Sequence, residues 1–246
     1  MHGLANILML LGALALPAAL WFEDGLPAPE AMLPQMHFEP VQEAVDEVPF
    51  AVSAGGVNYQ VEPLYEYELW GLVVSRHDVD SWRDYLHKRW NDHLNVADLC
   101  VLWGTNIVDD NYNALDFSSG QFTCNFFTRS QAAFLAFDQT AISNNHLLTD
   151  DAALAAAIRG ARIGDQIHLR GRLARYSHNE GSGFSRGTST VRTDKGNGAC
   201  ETIWVKDFEV LQTANDGWRL LKWLALALLF AGVMFWMFTP VRARWK

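Results

Sequence analysis

The stretch "WLALALLFAGVMFWMFT" (223–239) holds 17 uncharged residues in a row, and the run reaches 20 if Leu220 is counted and Lys222 snorkels. About 20 apolar residues in a helix span a hydrocarbon layer of roughly 30 Å. A helix in water keeps one polar face, and this stretch has none, so it reads as a transmembrane helix over 218–241. Trp218 and Trp223 stand at one end and Trp236 and Trp245 near the other, where amphipathic rings favour the headgroup zone. Arg242, Arg244 and Lys246 follow the span, while Arg219 and Lys222 precede it. By the positive-inside rule this bias, three to two, puts a basic tail at 242–246 in the cytoplasm.

The other end repeats the pattern. "LANILMLLGALALPAALWF" (4–22) is 19 residues without a charge, and 1–22 reads as an N-terminal transmembrane anchor. The alternative is a signal peptide cleaved near Ala13-Leu14-Ala15. Its basic n-region would rest on His2 and the α-amino group alone, and the apolar run exceeds an ordinary signal core. No cysteine precedes Cys100, which excludes a lipoprotein anchor. Under either reading residues 23–217 lie outside the inner membrane, in the periplasm of a two-membrane bacterium.

The 246 residues are 50% hydrophobic and 19% charged, too apolar for a disordered chain and too charged for a multi-span membrane protein. A net charge of −9 argues against nucleic acid as a partner. Charge is unevenly spread. Ten acidic residues precede the first basic one, Arg76, and residues 23–217 hold 14 Lys+Arg against all 28 Asp+Glu, a difference of −14. Pro27, Pro29, Pro34, Pro40 and Pro49 forbid a long helix there, so 23–56 reads as an acidic, semi-extended linker or an arm draped over a partner.

Residues 57–217 read as a β-rich extramembrane domain. "LYEYELWGLVVS" (64–75), "DLCVLWG" (98–104), "QFTCNFF" (121–127) and "ETIWVKDFEVL" (201–211) read as strands, the middle two buried. Residues 80–90 read as a helix capped by Asp80, and "DDAALAAAIRGA" (150–161) as a helix with acidic residues at its positive end. In "GDQIHLRGRL" (164–173), Ile167, Leu169, Gly171 and Leu173 point one way and Gln166, His168, Arg170 and Arg172 the other. A glycine–aspartate turn entering an alternating strand with a central glycine suits a sharply curved barrel. The expected fold is therefore α+β, with an OB-like or other small mixed β-barrel flanked by two transmembrane helices; the competing architecture is an α+β sandwich.

On "ELWGLVVSRHD", "HLNVADLCVLWG", "ISNNHLLTDD", "ARIGDQIHLRGRL" and "RTDKGNGACETIWVKDFEVL", residues 66–211 resemble an uncharacterised family of membrane-anchored bacterial envelope proteins. That resemblance carries no assigned activity and implies no catalytic residue.

Three cysteines permit three pairings. Cys100 and Cys124 sit mid-strand in consecutive strands, and a bridge there would stabilise by roughly 3 kcal/mol on the chain-entropy model; the alternative is three buried thiols. Cys200, after the glycine-rich "GNG" (196–198), is the candidate nucleophile, with His178 as the imidazole that could activate it. His77, Asp78, Asp80, Asp84, His87, Asp92 and His93 fall within 17 residues, with Asp84 and His87 three apart. No zinc motif accompanies them, and the reading assigns no metal and no cofactor. Asn144-Asn145-His146 reads as turn-forming sequence. The row His168, Arg170, Arg172 could hold an anionic ligand or an acidic partner surface, unless the acidic residues of 23–68 neutralise it. The expected function is a non-catalytic accessory or scaffold component of an envelope complex, bound to the lipid bilayer and to other envelope membrane proteins. The alternative is an envelope enzyme that uses Cys200 on cell-wall or lipid substrates.

Overall fold

The computed structural model describes residues 2–181 and 183–239; the basic tail read at 242–246, with Arg242, Arg244, Trp245 and Lys246, lies outside them. In chain order the elements are α1 (His2–Phe22), β1 (Val41–Ala44), β2 (Phe50–Ala54), β3 (Val57–Asp78), α2 (Leu86–Arg89), β4 (Asn95–Leu102), α3 (Thr105–Val108), β5 (Asp116–Gly120), β6 (Thr123–Phe127), α4 (Gln131–Ala136), β7 (Ile142–Leu148), α5 (Ala152–Gly160), β8 (Gln166–His178), β9 (Phe184–Arg186), β10 (Cys200–Gln212) and α6 (Asp216–Phe238). Two units divide them: Leu26–Ala214, and the terminal segments Met1–Gly25 with Asn215–Lys246.

The larger unit is mixed α+β, built on one eight-stranded sheet and a separate β5–β6 hairpin. Strand β3 pairs antiparallel with both β4 and β8, so the pairings β3–β4, β4–β7, β7–β10, β10–β8 and β8–β3 form a closed cycle. Only the β7–β10 contact in that cycle is parallel. The alternation read in 164–173 is realised: Ile167, Leu169 and Leu173 are fully buried in one cluster with Leu99, Val101 and Ile203, each such side chain stabilising by about 1.5–3 kcal/mol on burial. Gly171 is required by close approach, since a Cβ there would stand 2.4 Å from the Trp204 carbonyl oxygen. Helix α5 starts where Asp151 accepts from the amides of Ala153 (2.7 Å) and Leu154 (2.9 Å), and it lays Ala155 and Ile158 on the same core.

Three expectations change. The helix read over 80–90 is only Leu86–Arg89, and its amide cap comes from Asp84, whose Oδ1 accepts from the His87 N–H at 3.1 Å. Asp80 instead pairs with Arg159 at 3.1 Å. The strand "QFTCNFF" is not buried: among the described residues β6 pairs only with β5, and Thr123, Asn125 and Phe127 on one face of the hairpin are exposed. The segment 23–56 is no free linker, since β1 and β2 both pair with β3 and Met36 is fully buried.

In the smaller unit α1 and α6 are both long and apolar enough to cross a membrane. They pack antiparallel on a seam of small residues at heptad spacing, Ala5, Gly12 and Ala19 against Ala225 and Gly232, all buried. A Cβ on Gly12 would stand 2.7 Å from the Ala225 carbonyl oxygen, and one on Gly232 2.6 Å from Met9 Cγ. Gly12→Leu is therefore expected to cost about 2 kcal/mol by forcing the helices apart. Thermal unfolding in detergent checks this; an unchanged midpoint contradicts the close seam.

Candidate functional site

Strands β4, β7 and β10 lie side by side and carry polar residues on both faces. Register pairs Asp98 with His146, Cys100 with Asn144, Asn144 with Cys200, and Asn145 with Glu201. Because side chains alternate, Asp98, Cys100, Asn144, His146 and Cys200 share one face, while Ser143, Asn145 and Glu201 share the other with the apolar core.

On the first face Asp98 is fully buried and accepts three hydrogen bonds: from His146 Nδ1 at 2.6 Å, from Asn95 Nδ2 at 2.8 Å and from the Phe122 amide at 3.1 Å. Burial pushes its carboxyl up, but His146 and the Asn95 amide more than reverse this and hold it at about 2. Burial lowers the fully buried His146, with Asp98 opposing, so the imidazole is neutral, donates from Nδ1 and accepts from the Arg186 guanidinium at Nε2. Arg186 also covers the Phe122 ring, 4.1 Å from its centroid. Phe122 adopts a positive φ of 63°, a costly conformation for a bulky residue, held by its bond to Asp98.

The network continues toward α2. Asn95 Nδ2 also lies 3.0 Å from His87 Nε2, and His87 Nδ1 lies 2.6 Å from Asp84 Oδ2. The same Asp84 oxygen meets His77 Nε2 at 2.6 Å. Asp92, buried alongside, accepts from the Tyr176 hydroxyl at 2.7 Å. The hairpin tip closes the end of this array, where Gln121 Oε1 accepts from the amides of Tyr85 (3.0 Å) and Leu86 (2.7 Å).

A disulfide joins Cys100 and Cys124, Cα to Cα 5.6 Å, and fastens the hairpin to β4. Cys200 is free and half-buried, in a groove it shares with Asn144, Phe122 and Cys124. Burial pushes its thiol up, with Arg186 opposing, the reverse of what a nucleophilic cysteine needs. His178 is committed elsewhere: Nε2 donates to the Trp90 carbonyl at 2.8 Å and Nδ1 accepts from the Glu180 amide at 3.2 Å. The expected Cys200–His178 pairing thus loses its support.

The basic row is largely neutralised within the chain. His168 meets Glu68 at 2.7 Å, and Arg172 meets Glu47 at 2.6 Å and Glu66 at 3.1 Å; Arg170 is exposed.

On the inner face Glu201 is buried and pairs with Arg192 at 3.3 Å. Arg192 in turn lies over the Trp103 ring, 5.0 Å from its centroid. Burial raises the Glu201 carboxyl to about 7, with Arg192 and Ser143 opposing. Glu201 Oε2, Asn145 Oδ1 and Tyr67 Oη are buried without a hydrogen-bond partner among the described residues.

Sequence reading missed Asp98, Asn95, Arg186 and Glu201, and it took Asn144-Asn145-His146 for turn-forming sequence, whereas all three lie in the buried strand β7, where the flanking apolar residues and pairing with β4 and β10 hold them extended. The available signal was polar residues at a spacing of two inside apolar strands, as in Asn144 and His146 of β7. No protein-family model matches the chain, nor does any curated protein or any solved structure.

Proposed function

We propose that the chain is a membrane-anchored, non-catalytic accessory or scaffold component of a bacterial envelope complex. Its folded unit would stand outside the inner membrane and its C-terminus in the cytoplasm. The observation that carries this reading is the α1–α6 pair: tightly seamed by small residues, it exposes apolar side chains such as Leu14 (68%), Phe230 (69%) and Phe238 (74%) on its outer surface. Water does not tolerate such a surface and lipid does. The seam also supports retention of α1 over its removal as a signal peptide.

The folded unit is read as an OB-like barrel. In chain order the five strands of the closed cycle pair 1-2-3-5-4-1, with the third and fifth parallel and α5 between the third and fourth. Neutralisation of His168 and Arg172 by carboxylates favours a protein partner over an anionic ligand. So do exposed Phe127, Phe134 and Leu135 on the hairpin and on α4, which touch through the Phe126–Phe134 ring contact.

Mild-detergent extraction after cross-linking of native membranes tests this. The expected result is co-migration with another membrane protein, lost in the Phe134→Glu/Leu135→Glu variant. Migration of the wild type as a free monomer without cross-links would contradict it.

A further inference from the structure

We propose that His77, Asp84 and His87 bind one divalent transition-metal ion of the zinc class. The candidate ligand atoms His77 Nε2, Asp84 Oδ2 and His87 Nδ1 lie within 4.8 Å of one another. They come from three places that the fold brings together: the end of β3, the turn after it, and α2. Asp84 and His87 are buried at 0% and 1% side-chain exposure, and His77 at 11% leaves one side accessible.

Each nitrogen is 2.6 Å from Asp84 Oδ2, and the three ligand atoms lie within 4.8 Å of one another. A tetrahedral ion with bonds of about 2.0–2.1 Å sets its ligand atoms roughly 3.3 Å apart, so both nitrogens move away from Asp84 by about 0.7 Å and the two rings close on each other by up to about 1.5 Å. Asp84 is already oriented as a one-oxygen ligand, because its Oδ1 is held by the His87 amide. Two imidazoles and one carboxylate oxygen suit zinc, cobalt, nickel or copper, whereas calcium and magnesium call for about six oxygens.

Proton positions balance without loss from the site. In the metal-free arrangement His87 Nδ1 and His77 Nε2 each donate a proton to Asp84. On binding, those nitrogens give lone pairs to the ion, and each proton relocates to the other nitrogen of its ring. The new His87 Nε2–H must leave the Asn95 amide nitrogen and turn to a carboxylate. Asp92 stands 3.8 Å away for that purpose, buried and held by Tyr176. A carboxylate behind a ligating histidine is the usual support for such a site. The Phe122 ring, 4.1 Å from His87, walls one side, and water completes the coordination beside His77.

The test uses the tag-free full chain in detergent, stripped with a chelator and titrated with Zn²⁺ and Co²⁺. One ion per chain is expected, with the visible absorption of four-coordinate Co²⁺ and displacement of Co²⁺ by Zn²⁺ but not by Ca²⁺. His77→Gln, at the accessible edge, should weaken binding about 100-fold, and Asp92→Asn about 10-fold or more. Binding no tighter than about 100 µM, equal competition by Ca²⁺, or unchanged affinity in folded His77→Gln would overturn the proposal. Should His77→Gln fail to fold, the Co²⁺ complex of the wild type decides: a spectrum without imidazole nitrogen ligands overturns it.

Discussion

Asp98→Ala is expected to destabilise the folded unit by about 4 kcal/mol. The carboxylate accepts from three donors at once, His146 Nδ1, Asn95 Nδ2 and the Phe122 amide. Truncation strands His146 Nδ1 and the Phe122 amide, leaves Asn95 Nδ2 its contact with His87 Nε2 at 3.0 Å, and releases Phe122 from the bond that holds its positive φ. Its loss also frees the hairpin tip from β4, leaving the Cys100–Cys124 bridge as the remaining covalent tie. Urea unfolding followed by tryptophan fluorescence measures the effect; a loss below about 1 kcal/mol would show that the network is not cooperative. The pH dependence has a definite sign. The Asp98 carboxyl sits at about 2 in the folded state against an ordinary 3.8. Its contribution, about 2 kcal/mol, is therefore present above pH 4 and lost as pH falls through 2.

Glu201→Gln is expected to do the opposite, stabilising the protein by up to about 3 kcal/mol at pH 8 and leaving it unchanged at pH 4. The buried Glu201 carboxyl titrates at about 7 instead of 4.5. Between those values the folded state holds a proton that the unfolded chain has lost, so stability falls as pH rises from 4.5 to 7 and stays low above. Arg192 keeps its place over Trp103 in the variant, so the substitution removes an interior charge without stranding a deep one. Glu201→Gln should therefore remove the fall in stability that Glu201 imposes between pH 4.5 and 7. Thermal unfolding at pH 4 and pH 8 reads both; a variant less stable than wild type at pH 8 would mean that the Arg192 pair outweighs burial.

These two carboxylates mark where sequence reading stops. The strand 164–173 was legible because its apolar residues alternate without interruption and its central glycine faces a backbone carbonyl. The terminal helices were legible because an uncharged run admits few folded states. Asp98, His146 and Glu201 were not, since each sits in a strand whose polar positions resemble surface positions until the neighbouring strands are in register. Asp84 fell inside the helix read over 80–90, yet His77, seven residues earlier on β3, draws it inside and the helix shortens to Leu86–Arg89. For the basic row the sequence offered both an anionic ligand or acidic partner and neutralisation by the acidic residues of 23–68, and could not choose between them. Glu47, Glu66 and Glu68 lie far away in sequence and reach His168 and Arg172 only through long-range strand pairing and chain placement.

The anchored arrangement is tested most directly by labelling one introduced thiol. Asp109→Cys, on an exposed turn of the folded unit, in a Cys200→Ser background, is treated with a membrane-impermeant maleimide in intact spheroplasts. Labelling before lysis is expected, with the labelled chain staying in the membrane pellet after an alkaline carbonate wash. Labelling only after lysis, or release of the intact chain by carbonate, would contradict it.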